Sequence, residues 1–162
     1  MEYHSVTSQI LDVLKQNNCW FETFEHEAVR TSEAAAKTRP SYSLNQGAKA
    51  IIIRAKIPNE GKKFVMLVIP ADQKFSNDKV KAALGAKDIR FATEEEVEEV
   101  TSGVKPGAVP PFGNFFGLEV VCDKSLFDNE KIVFNAGERT FSVAMKSGDY
   151  QKLAGPKVLS II

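Results

Sequence analysis

The sequence predicts a mixed α/β fold, on three observations. Strand-like runs are interspersed with several short helical segments along the whole chain. Ala48–Lys56 and Phe64–Ile69 are two apolar, β-rich runs separated by the turn residues Pro58-Asn59-Glu60-Gly61, so they form an antiparallel hairpin and exclude an all-parallel sheet. Finally, 162 residues with 43% hydrophobic and 26% charged content suit one compact domain, residues 1–162, with one core.

Each element has a local reason. Ile10, Leu11, Val13 and Leu14 recur at helical spacing, with Ser5 or Thr7 as the cap and Asn17-Asn18 as the end. The aromatic run Cys19–Phe24 reads as a strand. A second helix is expected after Thr31 or Ser32, where Glu33 and Ala34–Ala36 are good first-turn residues. The hairpin of residues 48–69 is apolar at consecutive positions, so both of its faces should be covered. Ser76 caps a helix running to Leu84, which Gly85 stops. Thr93-x-x-Glu96 is a capping box for a short acidic helix. A glycine- and proline-rich stretch occupies Ser102–Gly117. Strands follow at Leu118–Cys122, Lys131–Asn135 and Thr140–Met145, then a helix capped by Ser147 and running through Leu153, and a closing segment Val158–Ile162.

Composition excludes several function classes. Apolar runs such as Ala50–Ile53 are a fraction of the roughly 20 residues a membrane span needs, and no charged-then-apolar leader opens the chain. Cys19 and Cys122 match no C-x-x-C spacing and read as free thiols, which suits a cytoplasmic location. A formal net charge of zero argues against unspecific coating of nucleic acid. The charge is nonetheless uneven. Seven basic residues (Lys37, Arg39, Lys49, Arg54, Lys56, Lys62, Lys63) face one acid, Glu60, between Lys37 and Lys63, whereas Thr93–Val100 holds five acids and no base.

The chain has no G-x-S-x-G elbow, phosphate loop or Rossmann glycine triplet. With His4 and His26 as its only histidines, it has no zinc motif. No cofactor or metal is called for, and a site without a protein nucleophile is what remains. Four features could build it. The segment Gly107-Ala108-Val109-Pro110-Pro111-Phe112-Gly113 is rigid though irregular, and is either a crossover loop or a loop folded against a pocket. Asn135-Ala136-Gly137 is either a plain turn or a strand end whose amides form an oxyanion hole. Lys49, at the head of an apolar strand, anchors a phosphate or simply reaches water. His26, between Glu25 and Glu27, is a ligand contact or a surface histidine.

Taken in order, Phe24-Glu25-His26, Thr31, Gly47-Ala48-Lys49, Gly107–Gly113 and Asn135-Ala136-Gly137-Glu138-Arg139 resemble the YbaK/ProX family of editing domains associated with prolyl-tRNA synthetase. The likeness covers roughly residues 8–162. It implies a partly barrel-like mixed β-sheet surrounded by short helices, with a pocket for the 3′ end of a mischarged aminoacyl-tRNA. The implied activity is a trans-acting deacylase that hydrolyses the ester of a small amino acid such as alanine, cysteine, serine or threonine. Water would attack with help from the substrate's own 2′-hydroxyl. Lys49 matches the family's signature lysine, and Ala136 and Gly137 would supply the oxyanion amides at the scissile carbonyl, beside Asn135. Phe24, His26, Thr31, Val109, Pro110, Pro111, Phe112 and Gly113 would line or border the amino-acid pocket. An aminoacyl-tRNA synthetase is a further possible partner. The segment Glu138–Ser142 has no histidine, so a mechanism using the histidine that some synthetase-inserted members carry there is not supported. A different class of function stays open, a catalytically weak module that binds aminoacyl-tRNA or a synthetase.

Overall fold

The computed structural model describes residues 2–28, 39 and 41–162. The helix expected after Thr31 or Ser32, and Thr31 itself, lie outside the described residues. In chain order the elements are α1 (Ser5–Gln16), β1 (Phe21–Glu25), β2 (Ala48–Ile57), β3 (Gly61–Pro70), α2 (Asn77–Leu84) and β4 (Asp88–Phe91), followed by α3 (Glu94–Val100), β5 (Glu119–Asp123), β6 (Lys131–Glu138), β7 (Phe141–Lys146), α4 (Ser147–Ala154) and β8 (Lys157–Leu159).

The strands form two sheets, a five-stranded one in the order β4-β2-β3-β5-β8 and a three-stranded one in the order β1-β7-β6. The hairpin forms as expected, pairing Ala48 with Pro70 through to Ile57 with Gly61. β5 then joins β3 in parallel and β8 joins β5 in parallel, so the larger sheet is mixed. An isolated parallel bridge between Gly47 and Val133 ties the head of β2 to β6. From this bridge the two sheets diverge, which gives a barrel-like curl that never closes. Gly47 is required at this seam, because a Cβ there would sit 2.8 Å from the Ala71 Cβ.

Burial follows the strand alternation on β2. Ala48 and Ile52 enter a core with Ile10 and Leu14 of α1 and with Ile132, Phe134, Val143 and Met145 of the smaller sheet. Ile53, Val65, Leu67, Ile69 and Val121 face the other way, under Val80 of α2 and Ile161. Both faces of the hairpin are therefore covered, as its consecutive apolar residues imply.

The helix ends are largely as expected. Ser76 accepts from the Lys79 amide, Gly85 takes the left-handed conformation, and Thr93 and Glu96 complete both halves of their capping box. Differences are informative. The cap of α1 is the His4 imidazole, which accepts from the Val6 amide at 3.0 Å; Thr7, one candidate cap, instead donates its hydroxyl to the Ala136 carbonyl at 2.6 Å. Lys146 rather than Ser147 precedes α4. β4 has two charged residues among its four and is too short, at Asp88–Phe91, for its alternation to stand out. Asn135-Ala136-Gly137 is a β-bulge inside β6, between the pairs Asn135–Ser142 and Glu138–Phe141, and not a turn after it.

Candidate active site

A cleft of about 290 Å³ opens where the sheets diverge. One wall is the head of β2, Ala48–Ile52, and the opposite wall is β6 at Val133–Asn135 with the loop residues Pro106, Gly107 and Val109. Arg39 and Tyr42 close one end, while Ala92 and Val97 add apolar surface.

The loop wall is fixed by the bulge across from it. Arg139 Nε donates to the Pro106 carbonyl at 2.7 Å, Asn135 Nδ2 to the Gly107 carbonyl at 2.7 Å, and the Gly137 amide to the Ala108 carbonyl at 2.9 Å. Three successive carbonyls are thus held from one short stretch, Asn135–Arg139, at the end of β6. Gly137 is required for a second reason. Its φ is +95°, and a Cβ would come within 2.5 Å of Val6 Cγ1 on α1.

Asn135 also belongs to a buried polar network. Its Oδ1 accepts from Arg39 Nη2 at 2.8 Å and from the Ser142 hydroxyl at 3.0 Å, while Arg39 Nε donates to Ser142 Oγ at 3.1 Å. His26 Nε2 completes the network with a 2.7 Å bond to Ser142 Oγ, and its Nδ1 bonds the Glu27 carbonyl. Arg39 is 6% exposed, and burial pushes its guanidinium down to about 10. Lys49 Nζ donates to the Gln73 carbonyl at 3.1 Å. Its ammonium is held below the ordinary lysine value by partial burial and by nearby Lys74, against an opposing pull from Asp72. The cleft therefore carries two cations whose charge is costly to keep without an anion.

Among the described residues lining the cleft there is no carboxylate, histidine or cysteine. Nor does any group of three or more such residues among the described ones form a metal-binding cluster. The arrangement can hold a small group beside an apolar wall, neutralise negative charge and orient a carbonyl. Among the described residues, it offers no carboxylate or imidazole as a general base.

Of the residues singled out from sequence, Lys49, Val109 and Asn135 meet at the cleft. Phe24 stands one layer out, its ring edge-on to Tyr42 at 5.8 Å, and His26 reaches the cleft only through Ser142. Among the described residues, Pro110–Gly113, Ala136 and Gly137 sit elsewhere than expected. Phe112 is 1% exposed and packs among Phe115, Phe134 and Tyr150 in the core, so the Pro110–Gly113 segment backs the cleft and does not line it. The Tyr150 hydroxyl locks that segment by donating to the Pro111 carbonyl at 2.6 Å. Ala136 is fully buried, and the Gly137 amide is already spent on Ala108, so neither faces the cleft as an oxyanion donor. Arg39, Tyr42, Pro106 and Gly107 were not singled out as site residues. Gly107 opened the quoted loop motif, but a buried arginine leaves no mark in sequence that separates it from a solvated one.

Residues 26–153 match the aminoacyl-tRNA editing domain family. The chain is 35% identical over 158 residues to the multifunctional Ser/Thr-tRNA deacylase ProXp-y of Escherichia coli (strain K12), covering 96% of this chain and 93% of that one. It is also 31% identical over 102 residues to the proline–tRNA ligase of Halalkalibacterium halodurans, of which the matched part is 17%. A solved structure described as a candidate trans-editing enzyme for prolyl tRNA synthetase superposes with a TM-score of 0.79 at 20% identity, covering 99% of this chain and 98% of the other, and shows the same fold. The chain belongs to the aminoacyl-tRNA editing domain family, the YbaK/ProX hydrolases whose ordered motifs it carries.

Proposed function

We propose that this chain acts in trans as a deacylase on tRNA mischarged with a small amino acid, serine and threonine foremost. The observation that carries the reading is the cleft itself. It is small, lined by Lys49 and Arg39, and holds no carboxylate, imidazole or thiol among the described lining residues. An aminoacyl ester is already activated, so such a site suffices if it orients the ester and stabilises charge. Serine and threonine come from the Escherichia coli relative, which shares nearly its full length with this chain. Alanine and cysteine are the other small side chains in range. One methylene alters affinity by only about 1–3 kcal/mol, so the lining residues Val109, Val97 and Ile52 tune the choice.

In the reaction, water adds to the ester carbonyl while the neighbouring ribose 2′-hydroxyl takes part in orienting it. The tetrahedral intermediate collapses with cleavage of the ester C–O bond. The 3′-oxygen leaves with a proton, giving free amino acid and intact tRNA. Lys49 holds the anionic end of the tRNA near the mouth of the cleft. Free thiols at Cys19 and Cys122 support a reducing, cytoplasmic setting.

The test is hydrolysis of a panel of mischarged tRNAs. Release of serine or threonine is expected, and Lys49→Ala should lose about 10²-fold in kcat/KM, or roughly 3 kcal/mol of transition-state stabilisation, with its thermal unfolding unchanged. Tight binding of every charged tRNA without turnover would leave a binding module for aminoacyl-tRNA or a synthetase.

A further inference from the structure

Among the described residues, one residue of β2 has an unpaired backbone edge, and that residue lies in the cleft. On the side of β2 away from β3, the Lys87 amide donates to the Lys56 carbonyl at 2.8 Å and the Ala92 amide to the Ile52 carbonyl at 3.0 Å. Backbone groups alternate sides along an antiparallel strand, so the N–H and C=O of Ala50 point the same way as those of Ile52. β4 pairs with β2 only over Ile53–Lys56, after which the chain turns at Thr93 into α3. At the other end the Gly47–Val133 bridge closes the edge. Among the described residues nothing pairs with Ala50 on this side. Ala50 is half-buried and lines the cleft, facing the wall formed by Gly107 and Asn135.

An open strand edge is a template for a donor and an acceptor spaced as in a peptide. Here the edge is stopped on both sides, so it has room for one residue and not for a strand. An aminoacyl ester presents such a pair, an α-ammonium and a carbonyl oxygen on adjacent carbons. We infer that the Ala50 N–H donates to the carbonyl oxygen of the scissile ester and the Ala50 C=O accepts from its α-ammonium. This rests on the deacylase reading and supplies the oxyanion donor that Gly137 does not. It also recognises the part every amino acid shares, leaving side-chain choice to the rest of the cleft.

Two variants remove the N–H. Ala50→Pro is tolerable because the missing donor faces away from the β3 ladder. Replacing Ala50 by lactic acid through semisynthesis keeps its shape and converts the amide to an ester. Both should unfold cooperatively, bind uncharged tRNA as before, and lose about 10²-fold in deacylation. A lactic-acid protein within threefold of the unmodified one overturns the inference, whatever Ala50→Pro does. A second readout does not depend on turnover. Seryl-3′-amino-3′-deoxyadenosine, a non-hydrolysable analogue, should shift the Ala50 amide proton downfield, and its desamino form should bind about tenfold or more weakly. Binding of the analogue with the Ala50 amide unmoved sinks the inference while leaving the deacylase intact. A chain inactive on every mischarged tRNA sinks the deacylase reading itself, and a shifted amide would then still support recognition of the aminoacyl group.

Discussion

Asn135 joins the two working parts of the site. Its Nδ2 holds the loop wall at Gly107, and its Oδ1 receives the Arg39 guanidinium and the Ser142 hydroxyl. Asn135→Ala should cost about 2 kcal/mol, because it strips an acceptor from a buried cation and a donor from a carbonyl. Denaturant unfolding checks this, and deacylation should fall more than the stability loss explains, since the loop wall loses its register. Asn135 is visible in sequence as part of a small-residue motif that points to the substrate, but nothing in that motif marks its side chain as the link to Arg39 and Gly107. The motif suggested backbone amides aimed at a ligand, whereas the fold aims the side chain at the loop and turns the Gly137 amide inward. Lys49 stood out through its place at the head of an apolar strand and through the family likeness. Arg39 did not, because only tertiary packing makes it buried.

Elements with a local cause were legible and those with a distant cause were not. The hairpin, the Ser76 cap and the Thr93–Glu96 box rest on neighbouring residues. β4 forms because β2 offers it an edge, which four residues, two of them charged, are too few to announce. The Gly107–Gly113 segment reads as a crossover loop or a loop folded against a pocket; of it, Gly107 and Val109 line the cleft, while Phe112 is drawn into the core by Phe134 and Tyr150. The end of β5 gives another case. Asp123 Oδ1 accepts from the amides of Ile161 (2.7 Å) and Ile162 (3.2 Å), and its Oδ2 accepts from Ser125 N at 3.0 Å and from the Ser125 hydroxyl. Burial works to raise its carboxyl, but these bonds prevail and hold it below the ordinary value. A depressed carboxylate stabilises the fold above its unfolded value, and that stability is lost as pH falls through the lowered one. Asp123→Ala should therefore cost about 3 kcal/mol at neutral pH by releasing the chain end. It should also flatten the acid limb of a stability–pH curve, measured by chemical denaturation between neutral pH and the acid range.

At the scale of the molecule, two sheets meet at one bridge and α1 packs against the bulge of β6. Gly137 is where that packing is tightest. Gly137→Ala should destabilise by about 3 kcal/mol, from the left-handed backbone and the clash with Val6, lowering Tm in a thermal melt. The mixed α/β class and the covered hairpin were legible because they follow from patterning. The separation into two sheets, and hence the position of the cleft, was not, since it depends on a bridge between residues 86 positions apart, Gly47 and Val133.

The three carbonyls of Pro106, Gly107 and Ala108 answer to donors that lie within Asn135–Arg139. Loop and strand end are therefore a single exchangeable cassette. Transplanting a relative's loop to change which amino acid is removed should fail when the loop is moved alone. It should succeed when the matching stretch of β6 travels with it. Specificity in this scaffold is thus inherited in pairs of segments, and a designer who wishes to retune it has to edit two places in one stroke.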